Sequence, residues 1–192
     1  MRARCGAFRY CPDPLGIVTA EQLDKLEFDE VLREMNNDRF NLLANQFSAY
    51  RMTFSKDGAL VEIINPFGGE NIRVEYFPDD DFTPYIVYFA FQHCHMCDEE
   101  DVADYIMEII DGNLFSIEFF NQGTRCFGGD ISAEEWHDSS YECLSNCMEK
   151  WGIAKLLDYA DSFKLRGWHS EHNFDAVFDV DEKGKPTIKK VG

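Results

Sequence analysis

Helical spacing of apolar residues dominates the first part of the chain after an irregular start. Residues 1–18 show no hydrophobic period, so we expect an irregular lead-in there. Thr19 and Gln22 have the spacing of a capping box, in which each side chain accepts a hydrogen bond from the backbone N–H of the other residue. Apolar and acidic residues then segregate to opposite faces, which predicts an amphipathic helix over residues 19–35 and a second short helix over residues 39–47.

The period changes to two from about residue 49. Apolar and polar side chains alternate over residues 50–54, and Asp57-Gly58 is a strong hairpin signal before a return strand at residues 59–64. A third alternating run covers residues 72–76. Short turns between successive strands favour antiparallel pairing, so the pattern predicts a meander.

Residues 85–97 form the stretch around which the predicted sheet is organised. Its first half is apolar on both faces, with Val87, Phe89 and Phe91 on one side and Ile86, Tyr88 and Ala90 on the other. A strand without a polar face is typical of a central position covered on both sides. The second cover is expected from a helix, from the N-terminal segment, or from another subunit in a homo-oligomer.

The downstream half alternates between predicted helices and strands. Four acids at residues 98–101 suit the positive end of a helix that Gly112 would stop. A strand follows at residues 114–120, and residues 122–130 are expected to form a flexible connection. The remaining pattern predicts helical segments between residues 132 and 160 and strands at residues 163–168, 173–180 and 187–191.

These elements predict a single α+β domain over residues 1–192. Its sheet would be largely antiparallel, with about six to eight strands and helices packed on it. The strand–helix–strand unit at residues 84–120 offers one parallel pair.

The charge of the chain indicates which classes of macromolecule it can bind. The formal net charge is −18, and all 36 acids lie between residues 10 and 182. Three Arg in residues 1–9 and four Lys in residues 183–192 leave 11 of the 18 bases in that section, whose net charge is therefore −25. Such a field repels nucleic acid and anionic membranes and attracts basic proteins; the alternative is that the acidity serves solubility alone.

Hydropathy and the number of cysteines indicate the cellular compartment. No window approaches the length of a membrane-spanning helix, and no apolar signal-peptide region follows the N-terminal arginines. The seven cysteines are an odd number, which favours reduced thiols over a disulfide framework. We therefore expect a cytoplasmic protein.

The end of the organising stretch holds the candidate metal ligands. On an extended strand His93, His95 and Cys97 share one face, and side chains at i and i+2 lie about 7 Å apart. Mixed nitrogen and sulfur ligands suit zinc, with iron as the alternative, and a distant histidine (His137, His169 or His172) would supply a fourth ligand. The competing interpretation is an ordinary polar strand end.

Two other arrangements of the same residue types are weaker. Cys94 and Cys97 with Cys143 and Cys147 would supply four thiolates to structural zinc, although the second spacing is unusual for such a site. A redox role for the first pair is disfavoured because the four acids after Cys97 would raise thiol pKa values. His169 and His172 are expected to be solvent-exposed turn residues, and a histidine site near acids is the alternative.

Two functional hypotheses remain. No phosphate-binding loop, nucleophile elbow or dinucleotide fingerprint is present, and no catalytic residue is assigned. The charge favours a non-enzymatic interaction module that binds a basic partner, as a toxin-neutralising immunity protein or an inhibitor would. The alternative is a metal-binding protein or metal-dependent enzyme that uses His93, His95 and Cys97, with zinc as its cofactor.

Overall fold

The computed structural model describes residues 38–153 and 155–191. The predicted lead-in at residues 1–18 and the predicted helix at residues 19–35 lie outside the described residues. None of the helices within the described ranges is long and apolar enough to cross a membrane.

Within the described ranges, ten strands form two antiparallel sheets of five strands each. The N-terminal sheet has the order β1-β2-β3-β4-β5, with strands β1 (Met52–Phe54), β2 (Leu60–Ile63), β3 (Ile72–Tyr76), β4 (Tyr85–Phe89) and β5 (Gln92–Met96). The C-terminal sheet has the order β10-β9-β8-β6-β7, with strands β6 (Leu114–Asn121), β7 (Thr124–Ser132), β8 (Ser162–Arg166), β9 (Phe174–Val180) and β10 (Pro186–Lys190).

Three α-helices and three short 3-10 turns complete the described chain. The helices are α1 (Asn41–Gln46), α2 (Glu99–Ile110) and α3 (Tyr141–Lys150), and the 3-10 turns are Asp38–Phe40, Leu156–Asp158 and Ser170–His172. The predicted start of α2 is confirmed, because the Asp98 side chain accepts a hydrogen bond of 2.9 Å from the Asp101 backbone N–H. Its predicted end is confirmed by Gly112, whose φ of 75° is in the left-handed region.

The α+β class and the antiparallel character are confirmed, and the strand number and arrangement differ from the prediction. Ten strands in two sheets replace about six to eight strands in one. The difference has two sources: the stretch at residues 85–97 folds back at Ala90-Phe91 into two strands, and the expected flexible connection at residues 122–130 is mostly β7. The expected parallel pair is wrong, because β6 joins the other sheet and pairs antiparallel with β7 and β8.

β4 is an interior strand, but β3 is the middle strand of its sheet. Val87 and Phe89 are buried, as expected for the inner face, whereas Ile86 and Tyr88 on the outer face are only partly buried. The described residues therefore cover the outer face only in part. A second subunit over the outer face stays a prediction.

Each sheet buries its own hydrophobic cluster. The N-terminal core lies between the sheet and helices α1 and α2, and its buried side chains include Leu43, Ile63, Ile72, Val87 and Ile106. The C-terminal core lies beneath α3 and includes Ile117, Phe119, Leu144, Met148 and Phe163. Trp168 follows β8 of the C-terminal sheet but belongs to the N-terminal core and is fully buried there.

Candidate functional site

His93 and His95 lie on β5 with exposed side chains, as the strand periodicity predicts. Their ring centroids are 5.4 Å apart, and the His93 ring lies 5.8 Å from the ring of Tyr88. The two imidazoles are therefore neighbours on one face of an edge strand.

Cys97 lies outside the strand that carries the two histidines. It lies one residue beyond the end of β5, where the chain turns into the Asp98 cap of α2. Among the described residues, the trio is not a group whose ligand atoms all lie within 4.8 Å of one another. The strand that aligns His93 and His95 ends before it can carry the thiol to the same point.

The four-cysteine arrangement is also not assembled. Cys94 is half-buried on β5 and Cys97 is exposed, whereas Cys143 and Cys147 are buried on α3 against the C-terminal sheet. Burial, with a further contribution from Asp130, raises the pKa of the Cys94 thiol. A raised thiol pKa is expected for a cysteine without a redox role. The main cause of the shift at Cys94 is desolvation, and not the acids after Cys97.

Asp130 and Tyr105 form a half-buried polar pair beside Cys94. The Tyr105 hydroxyl donates a hydrogen bond of 2.6 Å to Asp130 Oδ2 and joins α2 to β7. Burial raises the pKa of Asp130 although this hydrogen bond opposes the shift, and burial together with Asp130 raises the pKa of Tyr105. No local sequence pattern predicts this pair, since its two members are 25 residues apart.

His169 and His172 are structural residues at the junction of the two sheets. The His169 Nε2–H donates to the Ile110 carbonyl over 3.1 Å, and the His172 ring packs 5.2 Å from the ring of Phe115. Both side chains are partly buried, so the expectation of ordinary turn residues is only half right.

An acidic aromatic surface occupies the loop between β3 and β4. We define it by the residues that line one open groove: Phe77, Asp79, Asp80, Asp81, Phe82 and Ile86. The Phe82 side chain is 84% exposed and that of Phe77 is 42% exposed. Asp80 shapes the loop by accepting hydrogen bonds of 2.9 Å from the backbone N–H groups of Phe82 and Thr83.

A second group of carboxylates lies at the same end of the N-terminal sheet. β4 begins at Tyr85 and β5 ends at Met96, and these two residues are paired across the ladder. The acids of residues 98–101 therefore start beside the loop that carries Asp79–Asp81. The ion pairs of Arg73, Arg125, Lys150, Lys155 and Arg166 are all with other acids.

The structure also assembles a cluster that the sequence analysis did not predict. His137, Asp138 and Cys143 place one ligand atom each within 4.8 Å of one another, just before and within the first turn of α3. Cys143 Sγ is 3.8 Å from His137 Nδ1, and His137 Nε2 is 3.8 Å from Asp138 Oδ2. The adjacent pair His137-Asp138, just before a helix cap at Ser140, was the sequence signal for this cluster. Only the bend before the helix brings the pair close to Cys143.

Comparison of the chain with known protein families, with curated proteins and with solved structures finds no match.

Proposed function

We propose that this protein is a non-enzymatic interaction module that binds a basic partner through the acidic aromatic surface. The observation that carries the proposal is Phe82, an 84% exposed aromatic side chain directly after three consecutive aspartates. Large aromatic side chains are normally either buried on folding or used in binding, where they dominate interface energetics. An aromatic side chain that stays exposed therefore indicates a binding surface. A cytoplasmic location is part of the proposal, and the five described cysteines, all free, support it.

Charge and apolar contact have separate roles in this proposal. The two clusters of acidic residues at this end of the sheet together contain seven acids, at residues 79–81 and 98–101. Their field would speed the encounter with a cationic protein, in a salt-sensitive way. Phe82 and Phe77 would then supply the apolar contact that slows dissociation.

Fluorescence anisotropy with a labelled peptide that alternates Arg and Leu tests the surface. We expect the full chain to bind this peptide at low salt and the Phe82→Ala variant to bind it about tenfold more weakly, as for a residue at the centre of an interface. An Asp79→Asn/Asp81→Asn variant should bind more weakly and lose part of the salt dependence. Asp80 is kept, because it holds the loop conformation.

Matched controls separate a specific surface from general acidity. Phe67→Ala removes another exposed phenylalanine, 53% exposed, from a loop outside the surface. Glu171→Gln/Glu182→Gln removes two exposed charges elsewhere. Equal weakening by the control and surface variants would contradict the proposal, as would an absence of peptide binding at low salt.

The second candidate function is metal binding by His93, His95 and Cys97, with zinc as the cofactor. Its support is the exposed pair of imidazoles with centroids 5.4 Å apart, since neutral imidazole is a common zinc ligand. Elemental analysis of protein purified without added metal should then find one metal ion per chain, and His93→Ala/His95→Ala should remove it. A metal-free wild-type protein would contradict this candidate.

A further inference from the structure

We propose that His137, Asp138 and Cys143 form a zinc site at the start of α3, separate from β5 and independent of the acidic aromatic surface. Imidazole, carboxylate and thiolate are the three side-chain groups that bind zinc in proteins, and three protein ligands leave one position open. In a tetrahedral zinc site the ligand atoms lie about 3.3–3.7 Å apart. Asp138 Oδ2 lies 3.8 Å from His137 Nε2, close to that range, and the three side chains place one ligand atom each within 4.8 Å of one another.

The Glu134 carbonyl decides which ring nitrogen of His137 is free for a metal. His137 Nδ1 lies 2.8 Å from the Glu134 carbonyl oxygen. Because a carbonyl oxygen only accepts hydrogen bonds, Nδ1 carries the proton and Nε2 keeps its lone pair. Histidine ligands of metals typically donate their other N–H to a carbonyl or carboxylate in this way.

Asp138 is also oriented, and one of its two carboxylate oxygens remains free to bind a metal. Asp138 Oδ1 accepts a hydrogen bond of 2.9 Å from the Ser140 backbone N–H. Asp138 Oδ2 is the atom that faces His137 Nε2. Both side chains are largely exposed, so small rotations bring their free atoms closer to Cys143.

Cys147, one helical turn after Cys143, has a supporting role in this proposal. The Sγ atoms of both cysteines approach the Glu135 carbonyl oxygen, that of Cys147 at 3.7 Å. When Cys143 binds zinc as a thiolate it no longer donates to this carbonyl, and the Cys147 thiol remains as the donor. Cys147 is therefore placed outside the ligand set, as the remaining hydrogen-bond donor to this carbonyl.

A surface cleft of about 450 Å³ adjoins the cluster and includes His137, Cys143 and Cys147 in its lining. Lys150 is the cationic side chain in that lining, and its ammonium group is paired with Glu135 over 2.8 Å. This ion pair reduces the repulsion that Lys150 would exert on a metal ion. The fourth ligand is then a water molecule from the cleft.

Titration of the metal-free full chain with Co²⁺, followed by displacement with Zn²⁺, tests the site under reducing conditions. A cobalt–thiolate bond produces a charge-transfer absorption, so the spectrum reports directly on the sulfur ligand. We expect one metal ion per chain, loss of the charge-transfer band in Cys143→Ser, and an affinity at least about tenfold lower in His137→Ala. His137 is 66% exposed, so its replacement keeps the fold even if the buried Cys143 proves sensitive.

Two matched variants complete the design. Cys147→Ser alters a buried cysteine on the same helix, and His93→Ala/His95→Ala removes the imidazole pair on β5; both should keep the wild-type affinity and charge-transfer band. The proposal is overturned if wild-type protein shows no thiolate band. It is also overturned if Cys147→Ser weakens binding as much as Cys143→Ser, or if binding depends on His93 and His95 and not on His137.

Discussion

At the scale of single residues, Asp130 is the clearest conflict between a side chain and its surroundings. Its carboxyl group is partly buried on β7, where it accepts a hydrogen bond from Tyr105. Burial disfavours the carboxylate, and this effect outweighs the hydrogen bond, so the pKa of Asp130 is raised. The folded state therefore holds the Asp130 proton more tightly than the unfolded state.

Replacement of Asp130 by Asn should change how stability depends on pH. With a raised pKa in the folded state, the favourable contribution of Asp130 is present below the unfolded pKa of about 3.9 and is lost as pH rises through the folded pKa. Asn keeps an acceptor for the Tyr105 hydroxyl without the charge. Relative to wild type, Asp130→Asn should thus gain stability between about pH 4 and pH 7 in urea unfolding.

Asp104→Asn, on the exposed face of α2, is the control for this measurement. Its stability profile is expected to follow that of wild type across the same pH range. Parallel profiles for Asp130→Asn and wild type would show that burial does not govern the Asp130 proton.

At the scale of elements, the β4–β5 hairpin depends on contacts outside the hairpin. Two residues, Ala90 and Phe91, connect the paired residues Phe89 and Gln92, and Ala90 has a φ of 48°. This left-handed conformation is unfavourable for alanine and ordinary for glycine. The Phe91 N–H donates to Ser116 Oγ over 3.3 Å, so the C-terminal sheet helps to hold the turn.

Ala90→Gly should therefore stabilise the protein, by about 0.5–1 kcal/mol in urea unfolding, because glycine adopts positive φ without a steric penalty. Part of the gain is offset because the half-buried Ala90 methyl packs against the N-terminal core. Ala59→Gly, at a half-buried site whose φ is negative, should lose about 0.5–1 kcal/mol. Equal losses in both variants would show that the Ala90 conformation carries no strain.

At the scale of the whole molecule, Trp168 connects the two sheets. Its ring lies 5.9 Å from that of Tyr50 and 6.5 Å from that of Phe89, in the core of the other sheet. Its carbonyl oxygen accepts a hydrogen bond of 2.8 Å from Asn65 Nδ2. These contacts indicate that the N-terminal core is complete only when the C-terminal sheet has formed and the loop after β8 has brought Trp168 into that core.

Trp168→Ala is expected to lower the free energy of unfolding by about 3–5 kcal/mol, because it leaves a large cavity in that core. The measurement is urea unfolding, with amide hydrogen exchange to locate the loss in the N-terminal sheet. Trp151→Ala, at a 39% exposed tryptophan, should change the free energy much less. A loss below about 1 kcal/mol for Trp168→Ala would mean that the two sheets are stable separately.

Several elements were predictable from local patterns. The Asp57-Gly58 turn, the alternation of β3 and the capped amphipathic α2 each rest on residues adjacent in the chain. The shared exposed face of His93 and His95 follows from strand periodicity alone. Such features depend on backbone geometry within a few residues, which the sequence expresses directly.

The sequence by itself thus determined the α+β class, most of the element positions and the acidity of the surface. Only the tertiary structure decided that the strands divide into two sheets, that Trp168 crosses between cores, and that His137 and Asp138 meet Cys143. The reason is that these outcomes depend on which distant segments pack together. Ala90 shows this at one residue, since contacts with the other sheet support a turn that no local signal predicts.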